Sequence, residues 1–266
     1  MNELEKRLRA VLEPLTAGGA CLAFSGGCDS ATLLAMLARM RAEHDFPLVA
    51  VYCAGPFQTA AERERAKAQA KANGVPLVVV APDPLSVPEV RRNARDRCYH
   101  CKRLVFAALA KAAVAAGAAN LLDGTNADDL RAHRPGRRAL EELGVISPLA
   151  QAGLTKAEVR ELAAAWGVPT AHAPAGACLA TRFPYDTELT EEKLRRVEAA
   201  EEKLRPFAPG TLRVRAHGDL ARVEAAPASF AGLVANREAV TTALRALGFK
   251  FVTLDLEGFR SGSFDG

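Results

Sequence analysis

The sequence predicts an α/β protein: a parallel sheet with helices on both faces, followed by a smaller α+β unit. Three observations carry this. Four short apolar runs, Ala20 to Phe24, Leu48 to Cys53, Pro76 to Val80 and Asn120 to Asp123, are separated by helix-length stretches, the alternation that builds a buried parallel sheet. The first run ends in a glycine turn, Ser25-Gly26-Gly27, that leads into a repeat placing Leu33, Leu34 and Leu37 on one helix face. Past residue 190 the order changes to helix, hairpin, helix and strand.

Taken in order, the N-terminal stretch carries Leu4 and Leu8 at helical spacing. Gly74 and Gly117 close the helices after the second and third runs, and Thr155 with Glu158 forms a capping box opening a helix that Gly167 ends. The first domain is therefore expected over 1–170. Pro169 to Pro184, rich in Pro, Ala and Gly and without period, reads as a linker, placed at 171–187. The second domain, 188–266, starts with a helix from Thr190-Glu191-Glu192 to about Leu204. A hairpin then pairs Thr211–Ala216 with Leu220–Ala225, a helix runs from Pro227 to before Gly248, and Phe251–Leu256 is a last strand.

The 266 residues are 49% hydrophobic and 25% charged, an ordinary globular composition that excludes a disordered or collagenous chain. There is no apolar run long enough for a membrane span and no signal-peptide pattern at the start, so a soluble, cytoplasmic protein is expected. Six cysteines are too sparse for a disulfide scaffold, which leaves thiols, thiolates or metal ligands. The net charge of +4 is small, although arginines gather at Arg91, Arg92, Arg95 and Arg97 and, with His133, at Arg131, Arg134, Arg137 and Arg138. Solvated faces and phosphate contacts both account for such clusters.

The sharpest motif is Phe24-Ser25-Gly26-Gly27-Cys28-Asp29-Ser30. A strand, a glycine turn and a helix N-terminus make an anion site: backbone N–H groups approach phosphate oxygens, the hydroxyls of Ser25 and Ser30 add donors, and the helix dipole favours negative charge. The loop has no lysine, so it is not a GxxxxGK[ST] loop. The motif resembles that of the PP-loop ATP pyrophosphatases, which have a Rossmann-like, adenine nucleotide alpha hydrolase-like domain. The resemblance implies Mg2+ and ATP, with Ser25, Gly26, Gly27, Asp29 and Ser30 holding the leaving pyrophosphate. Gly124-Thr125-Asn126, after the fourth strand, opens on the same sheet edge; Asp128 and Asp129 are candidates for Mg2+ or nucleotide contact, or helix caps.

Among the cysteines, Cys98 and Cys101 form a Cys-x-x-Cys pair at a helix start, where they face one way. Cys178 lies in the linker; Cys21, Cys28 and Cys53 read as small buried hydrophobes. A Cys-x-x-Cys alone fits a redox pair or half a zinc site, which His100 or His172 would help complete; three thiolates without a fourth fit a 4Fe-4S cluster with one open iron.

The stretches DRCYHCK, LDGTNADDLRAHRPGRRA, SPLAQAGLTKAEVREL, PAGACLATR, LRVRAHGDLARVE and DLEGFRSGS, with FSGGCDS, resemble the LarE-type ATP-dependent sulfur transferases over nearly the whole chain. Cys28, Ala173, Thr181 and Asp186 depart from the family's usual branched apolar residue, Lys, Ser and Gly. The resemblance implies that a pyridinium-3,5-biscarboxylic acid mononucleotide is adenylated and thiolated for the nickel-pincer cofactor. It also implies that Cys98, Cys101 and Cys178 hold a 4Fe-4S cluster fed by a sulfide source, and that the chain is a homo-oligomer, a trimer-based hexamer. The sacrificial alternative is that Cys178 gives up its own sulfur. An anionic substrate needs cations, and period 2 puts Arg213 and Arg215 on one strand face and Arg222 with Glu224 on the polar face of the next; Arg182, after Cys178, is another candidate. A solvated sheet face is the plain reading of the same arginines. A tRNA thiolase is the competing enzyme class and a nucleotide-sensing regulator the non-catalytic one; the absence of an added RNA-binding module argues against nucleic acid.

Overall fold

The computed structural model describes residues 2–131, 136–174 and 176–260. His133, Arg134 and the end of the DLEGFRSGS stretch lie outside them. In chain order the elements are α1 (Glu3–Thr16), β1 (Ala20–Ala23), α2 (Cys28–Glu43), β2 (Leu48–Cys53), α3 (Ala60–Ala72), β3 (Leu77–Val80), α4 (Pro88–Arg91), α5 (Arg97–Ala115), β4 (Asn120–Leu122), α6 (Ala127–Arg131), α7 (Gly136–Glu142), α8 (Pro148–Gln151) and α9 (Lys156–Ala165). There follow α10 (Glu191–Leu204), β5 (Leu212–His217), β6 (Leu220–Ala225), α11 (Phe230–Ala235), α12 (Arg237–Ala246) and β7 (Phe251–Leu254). The chain divides into two compact units, one of Met1–Pro84 with Asp96–Ala175, the other of Leu85–Arg95 with Gly176–Gly266.

The first unit is the α/β layer that the alternation predicts. Its four strands are parallel in the order β3-β2-β1-β4. Side chains alternate across the sheet with period 2. Leu22, Ala50, Tyr52 and Leu122 join a core built with α1, α2 and α9, while Cys21, Val49, Val51 and Leu121 pack with Leu109 and Ala113 of α5 on the other face. Burial of both faces explains why β1, β2 and β4 are continuous apolar runs, whereas the edge strand β3 leaves Val78 and Val79 exposed. Leu33, Leu34 and Leu37 of α2 are fully buried, and truncating any of them to Ala costs about 2–5 kcal/mol. The capping box of Thr155 and Glu158 is present in full, and Gly74, Gly117 and Gly167 all have positive φ. From β1 the chain passes to β2 on one side, and β4 lies on the other. The strand order thus reverses between β1 and β4, the place where open α/β sheets bind ligands.

The second unit has the expected hairpin, β5 antiparallel to β6 with Arg215 opposite Arg222 and Arg213 opposite Glu224. β7 adds parallel to β6 and ends at Leu254; Leu256 is 82% exposed. The single helix expected from Pro227 is two helices. Asn236 breaks it (φ −104°, ψ 25°) and its side-chain amide donates to Gly232 O at 2.8 Å. Segment 85–95 belongs to this unit through fully buried Asn93, whose amide donates to Phe183 O (3.2 Å) and Pro184 O (2.7 Å). Asp186 sits at φ 59°, the left-handed region that favours glycine. Among the described residues no helix is long and apolar enough to cross a membrane.

Candidate active site

In the first unit the turn after β1 has the form an anion requires. Gly26 is at φ 72°, where a Cβ would also come 3.1 Å from Ala66 Cα. Gly27 is the N-cap of α2 and no side chain caps it among the described residues, so the first-turn N–H groups are left for a ligand or water. Ser25 Oγ and Ser30 Oγ lie 3.1 Å apart beside them. Gly124, entering from the end of β4, presses on the same helix start: a Cβ there would be 2.9 Å from Ser30 N. The two sequence-predicted loops are thus brought together at the switch point.

Asn126 is 3% exposed; its Oδ1 accepts from the N–H groups of Asp128 (3.0 Å) and Asp129 (3.2 Å), and Asp129 accepts in return from Asn126 N–H at 3.2 Å. This is the capping role that stood beside metal contact for Asp129. Asp128 accepts from the backbone N–H of Lys156 at 2.8 Å. Asp29 receives Asn126 Nδ2 at 3.4 Å on one oxygen and Lys156 Nζ at 2.5 Å on the other. Sequence reasoning passed over Lys156, which is 127 residues from Asp29 in the chain.

Cys98 and Cys101 occupy the first turn of α5, Cys98 exposed and Cys101 partly so. α7 lies against this turn because Gly136 has no side chain; a Cβ would come 2.7 Å from Lys102 Cδ and 3.3 Å from Cys98 O. Between the two thiols, Tyr99 donates to Glu142 at 2.8 Å and stacks under Arg138, whose guanidinium carbon is 4.5 Å from the ring centre. His100 pairs with Asp96 at 3.1 Å, and His172 is exposed. The three cysteines expected to be buried differ chemically: burial pushes Cys21 up to about 12 and Cys53 to about 11, and raises Cys28. Cys53 keeps part of its surface exposed.

In the second unit Cys178 is exposed and precedes a short 3-10 turn, Leu179–Arg182. Its carbonyl accepts from Thr181 Oγ1 (2.8 Å) and Arg182 Nη1 (3.2 Å), and Arg182 also donates to Ala177 O at 2.8 Å. The arginine is anchored by two bonds to Glu201, at 2.8 and 3.0 Å, with both side chains buried. Glu201 further accepts from Val214 N–H at 3.1 Å. Arg215 is 4% exposed, bonded to Glu224 at 2.9 Å and to Thr181 O at 2.5 Å. Arg222 meets the other oxygen of Glu224 at 2.8 Å.

A solvated face for Arg213 and Arg215 is therefore excluded, because α10 and the 3-10 turn cover β5. Arg213, 8% exposed, has its guanidinium 5.3 Å from the Phe259 ring centre. Desolvation, with repulsion from Arg182 and Arg215, lowers its pKa to about 10, so it stays charged at neutral pH. Arg182, Arg215 and Arg222 are paired with Glu201, Glu224 and Asp255, and Arg213 beside them donates to the Leu212 carbonyl, an arrangement rich in guanidinium donors of the kind that suits an anion. Among the described residues no three His, Cys, Asp or Glu side chains are gathered as a metal-holding group.

Residues 1–131 match the PP-loop domain family. The chain is 40% identical over 249 residues to an uncharacterised protein of Synechocystis, covering 92% of this chain and 91% of that one. It is 35% identical over 241 residues to the pyridinium-3,5-bisthiocarboxylic acid mononucleotide synthase of Lactiplantibacillus plantarum, covering 91% and 87%. An uncharacterised protein of Methanocaldococcus jannaschii is 31% identical over 240 residues, 90% of each chain.

Proposed function

This chain belongs to the LarE-type family of PP-loop, ATP-dependent sulfur transferases, and from that premise we propose that it converts the carboxylates of pyridinium-3,5-biscarboxylic acid mononucleotide to thiocarboxylates for the nickel-pincer cofactor. The observation that carries the reading is 35% identity, over 91% of the chain, to a synthase named for the bisthiocarboxylic product. The glycine turn at the β1/β4 switch point supports the nucleotide half.

Hydrosulfide cannot expel oxide from a carboxylate, so the oxygen must first be made a leaving group. A carboxylate oxygen attacks the α-phosphorus of ATP, the bond to pyrophosphate breaks, and an acyl adenylate forms. A sulfur nucleophile then attacks the acyl carbon, the bond to AMP breaks, and the former carboxylate oxygen leaves on AMP. Ser25, Gly26, Gly27, Asp29 and Ser30 would hold the pyrophosphate, with Gly124 and Asn126 shaping the nucleotide side. The carboxylates of Asp29 and Asp128 offer the oxygen ligands Mg2+ takes, and Mg2+ supplies charge neutralisation on the phosphates. Arg213 and Arg215, the latter held by Glu224, suit the phosphate of the substrate, and Arg182 positions the Cys178 loop.

The donor chemistry at the thiols fits a thiolate-held cluster: Cys98, Cys101 and Cys178 keep access to solvent, whereas burial holds Cys21 and Cys28 as thiols. A 4Fe-4S cluster on three cysteines supplies, when bound, one iron without a protein ligand at which sulfide is carried. In this reading 1–170 activates the carboxylate, 171–187 presents Cys178, and 188–266 binds substrate and assembles the homo-oligomer.

The test is iron and acid-labile sulfide content after oxygen-free reconstitution, for wild type, Cys98→Ala and Cys178→Ala. The reading predicts about four iron per chain, lost in both variants. No iron, with Cys178 losing hydrogen sulfide on turnover, would establish the sacrificial route. Tight, salt-sensitive tRNA binding would replace the substrate assignment with a tRNA thiolase.

A further inference from the structure

We propose that Phe251 is the platform on which the pyridinium ring of the substrate stacks, on the open half of the sheet face that also carries the arginines. The inference rests on the substrate reading above and adds to it a residue that recognises the cationic ring rather than the phosphate.

The strand register of the second unit sets side chains in rows across one face of its sheet. Arg213 and Glu224 share one row; Arg215, Arg222 and Thr253 form the next, and His217, Leu220 and Phe251 the one after it. The opposite face, with Val214, Ala221 and Val223, is buried. The arginine face is covered unevenly. Over β5 lies the 3-10 turn that follows Cys178, where the Thr181 carbonyl accepts from Arg215 at 2.5 Å, and Arg213 and Arg215 are buried. Toward β7 the face opens: the Arg222 side chain keeps 26% of its surface and Phe251 is 63% exposed. Among the described residues no other aromatic side chain is exposed. Phe251 is nevertheless held firmly, because the Asp219 carbonyl accepts from the N–H groups of Lys250 (2.8 Å) and Phe251 (3.2 Å), and the Lys250 ammonium pairs with the Asp219 carboxylate at 2.8 Å.

A pyridinium mononucleotide has two unlike ends, a flat ring with a fixed positive charge and a phosphate. Guanidinium groups suit the phosphate, and an aromatic face suits the ring cation, which its quadrupole attracts. With strands about 5 Å apart and about 3.3 Å per residue, Phe251 is a diagonal neighbour of Arg222 at about 8 Å, a span that a ribose bridges. His217, in the same row as Phe251, adds no repelling charge: burial, with Arg222 and Arg215 nearby, lowers its pKa, so the imidazole is neutral at pH 7. A ring stacked on Phe251 therefore shares a sheet face with its phosphate ligands and with the turn that follows Cys178, and it is carried by a strand rather than a loop.

The test titrates the full chain calorimetrically with pyridinium-3,5-biscarboxylic acid mononucleotide and with ribose 5-phosphate, for wild type, Phe251→Leu and Phe251→Trp, with the oligomeric state of each followed by sedimentation. Phe251→Leu is expected to lose about three- to thirtyfold in affinity for the mononucleotide and less than about twofold for ribose 5-phosphate. Phe251→Trp should keep or raise the affinity and give, on adding the mononucleotide, an indole–pyridinium charge-transfer band that is absent from wild type, whose one tryptophan is Trp166. Mononucleotide affinity unchanged in Phe251→Leu, or Phe251→Trp without the band, would overturn the proposal and leave the substrate reading standing. Equal losses for both ligands in Phe251→Leu, together with an altered oligomeric state, would also overturn it and make the ring a contact between copies of this chain. A wild-type protein that binds neither ligand would remove the substrate reading and the part of Phe251 together.

Discussion

Arg182→Ala tests how the Cys178 loop is held. The guanidinium makes two bonds to Glu201 and donates to the carbonyls of Ala177 and Cys178. With side-chain exposures of 3% and 5%, Arg182 and Glu201 form a buried pair, so removing the arginine strands the Glu201 carboxylate and takes one donor from each of the Ala177 and Cys178 carbonyls, the latter keeping Thr181. Breaking such a pair from one side costs about 3–5 kcal/mol. Glu201 still has Val214 N–H, which places the expected loss toward the lower end of that range. Hydrogen exchange of the α10 and β5 amides is the suitable assay, with protection expected to fall by about two to three and a half orders of magnitude. The double variant Arg182→Met with Glu201→Leu removes both charges and should lose less than Arg182→Ala alone. Protection unchanged to within about threefold in Arg182→Ala, or a double variant worse than the sum of the singles, would refute the reasoning.

Gly124→Ala places a methyl 2.9 Å from Ser30 N and should weaken ATP binding at least tenfold while costing about 1–3 kcal/mol of stability; calorimetry with ATP and a urea titration separate the two. Thr155→Ala removes the N-cap of α9 and its capping box with Glu158, at a cost of about 1 kcal/mol, read as a lowered urea midpoint at unchanged slope. Thiol alkylation should be selective: at pH 8 Cys21, at about 12, is ionised to about one part in ten thousand and Cys53, at about 11, to about one in a thousand. Peptide mass spectrometry should therefore find Cys98 and Cys178 modified first, with Cys21 and Cys53 gaining about tenfold per pH unit until those values are passed. A pKa raised by folding has a second consequence: the stability due to the protonated thiols is complete below the ordinary value of 9.0 and is lost as pH rises toward 11 and 12, so the first unit should unfold at lower urea above pH 9.

The first unit was legible because its inner strands β1 and β2 are buried on both faces and so appear as bare apolar runs, and because Gly26, Gly74 and Thr155 act locally, through φ or a cap three residues away. What escaped depends on pairs distant in the chain. Lys156 belongs with Asp29, and no period or spacing joins α9 to the turn after β1. Segment 85–95 joins the second unit through buried Asn93, which binds the backbone at Phe183 and Pro184, and through backbone bonds from Asp186 and Leu189 to Asn93 and Arg91, contacts without a sequence signature. On β5, period 2 correctly put Arg213 and Arg215 on one face, but not that this face is covered; that required Glu201, Glu224 and the 3-10 turn in place. The helix after Pro227 was read through Asn236 because apolar spacing continues across it, while the side chain that ends α11 acts on Gly232 four residues back.

The central claim is ATP-dependent thiolation of a carboxylate, and the most direct measurement is a single reaction of the reconstituted protein with Mg2+, ATP, sulfide and pyridinium-3,5-biscarboxylic acid mononucleotide, analysed for AMP, pyrophosphate, the mass of the mononucleotide and the mass of the Cys178 peptide. The account predicts one AMP and one pyrophosphate for each oxygen replaced by sulfur, more than one turnover per chain, and an unchanged Cys178. AMP formation without sulfur in the product, or no AMP with this substrate, would contradict it.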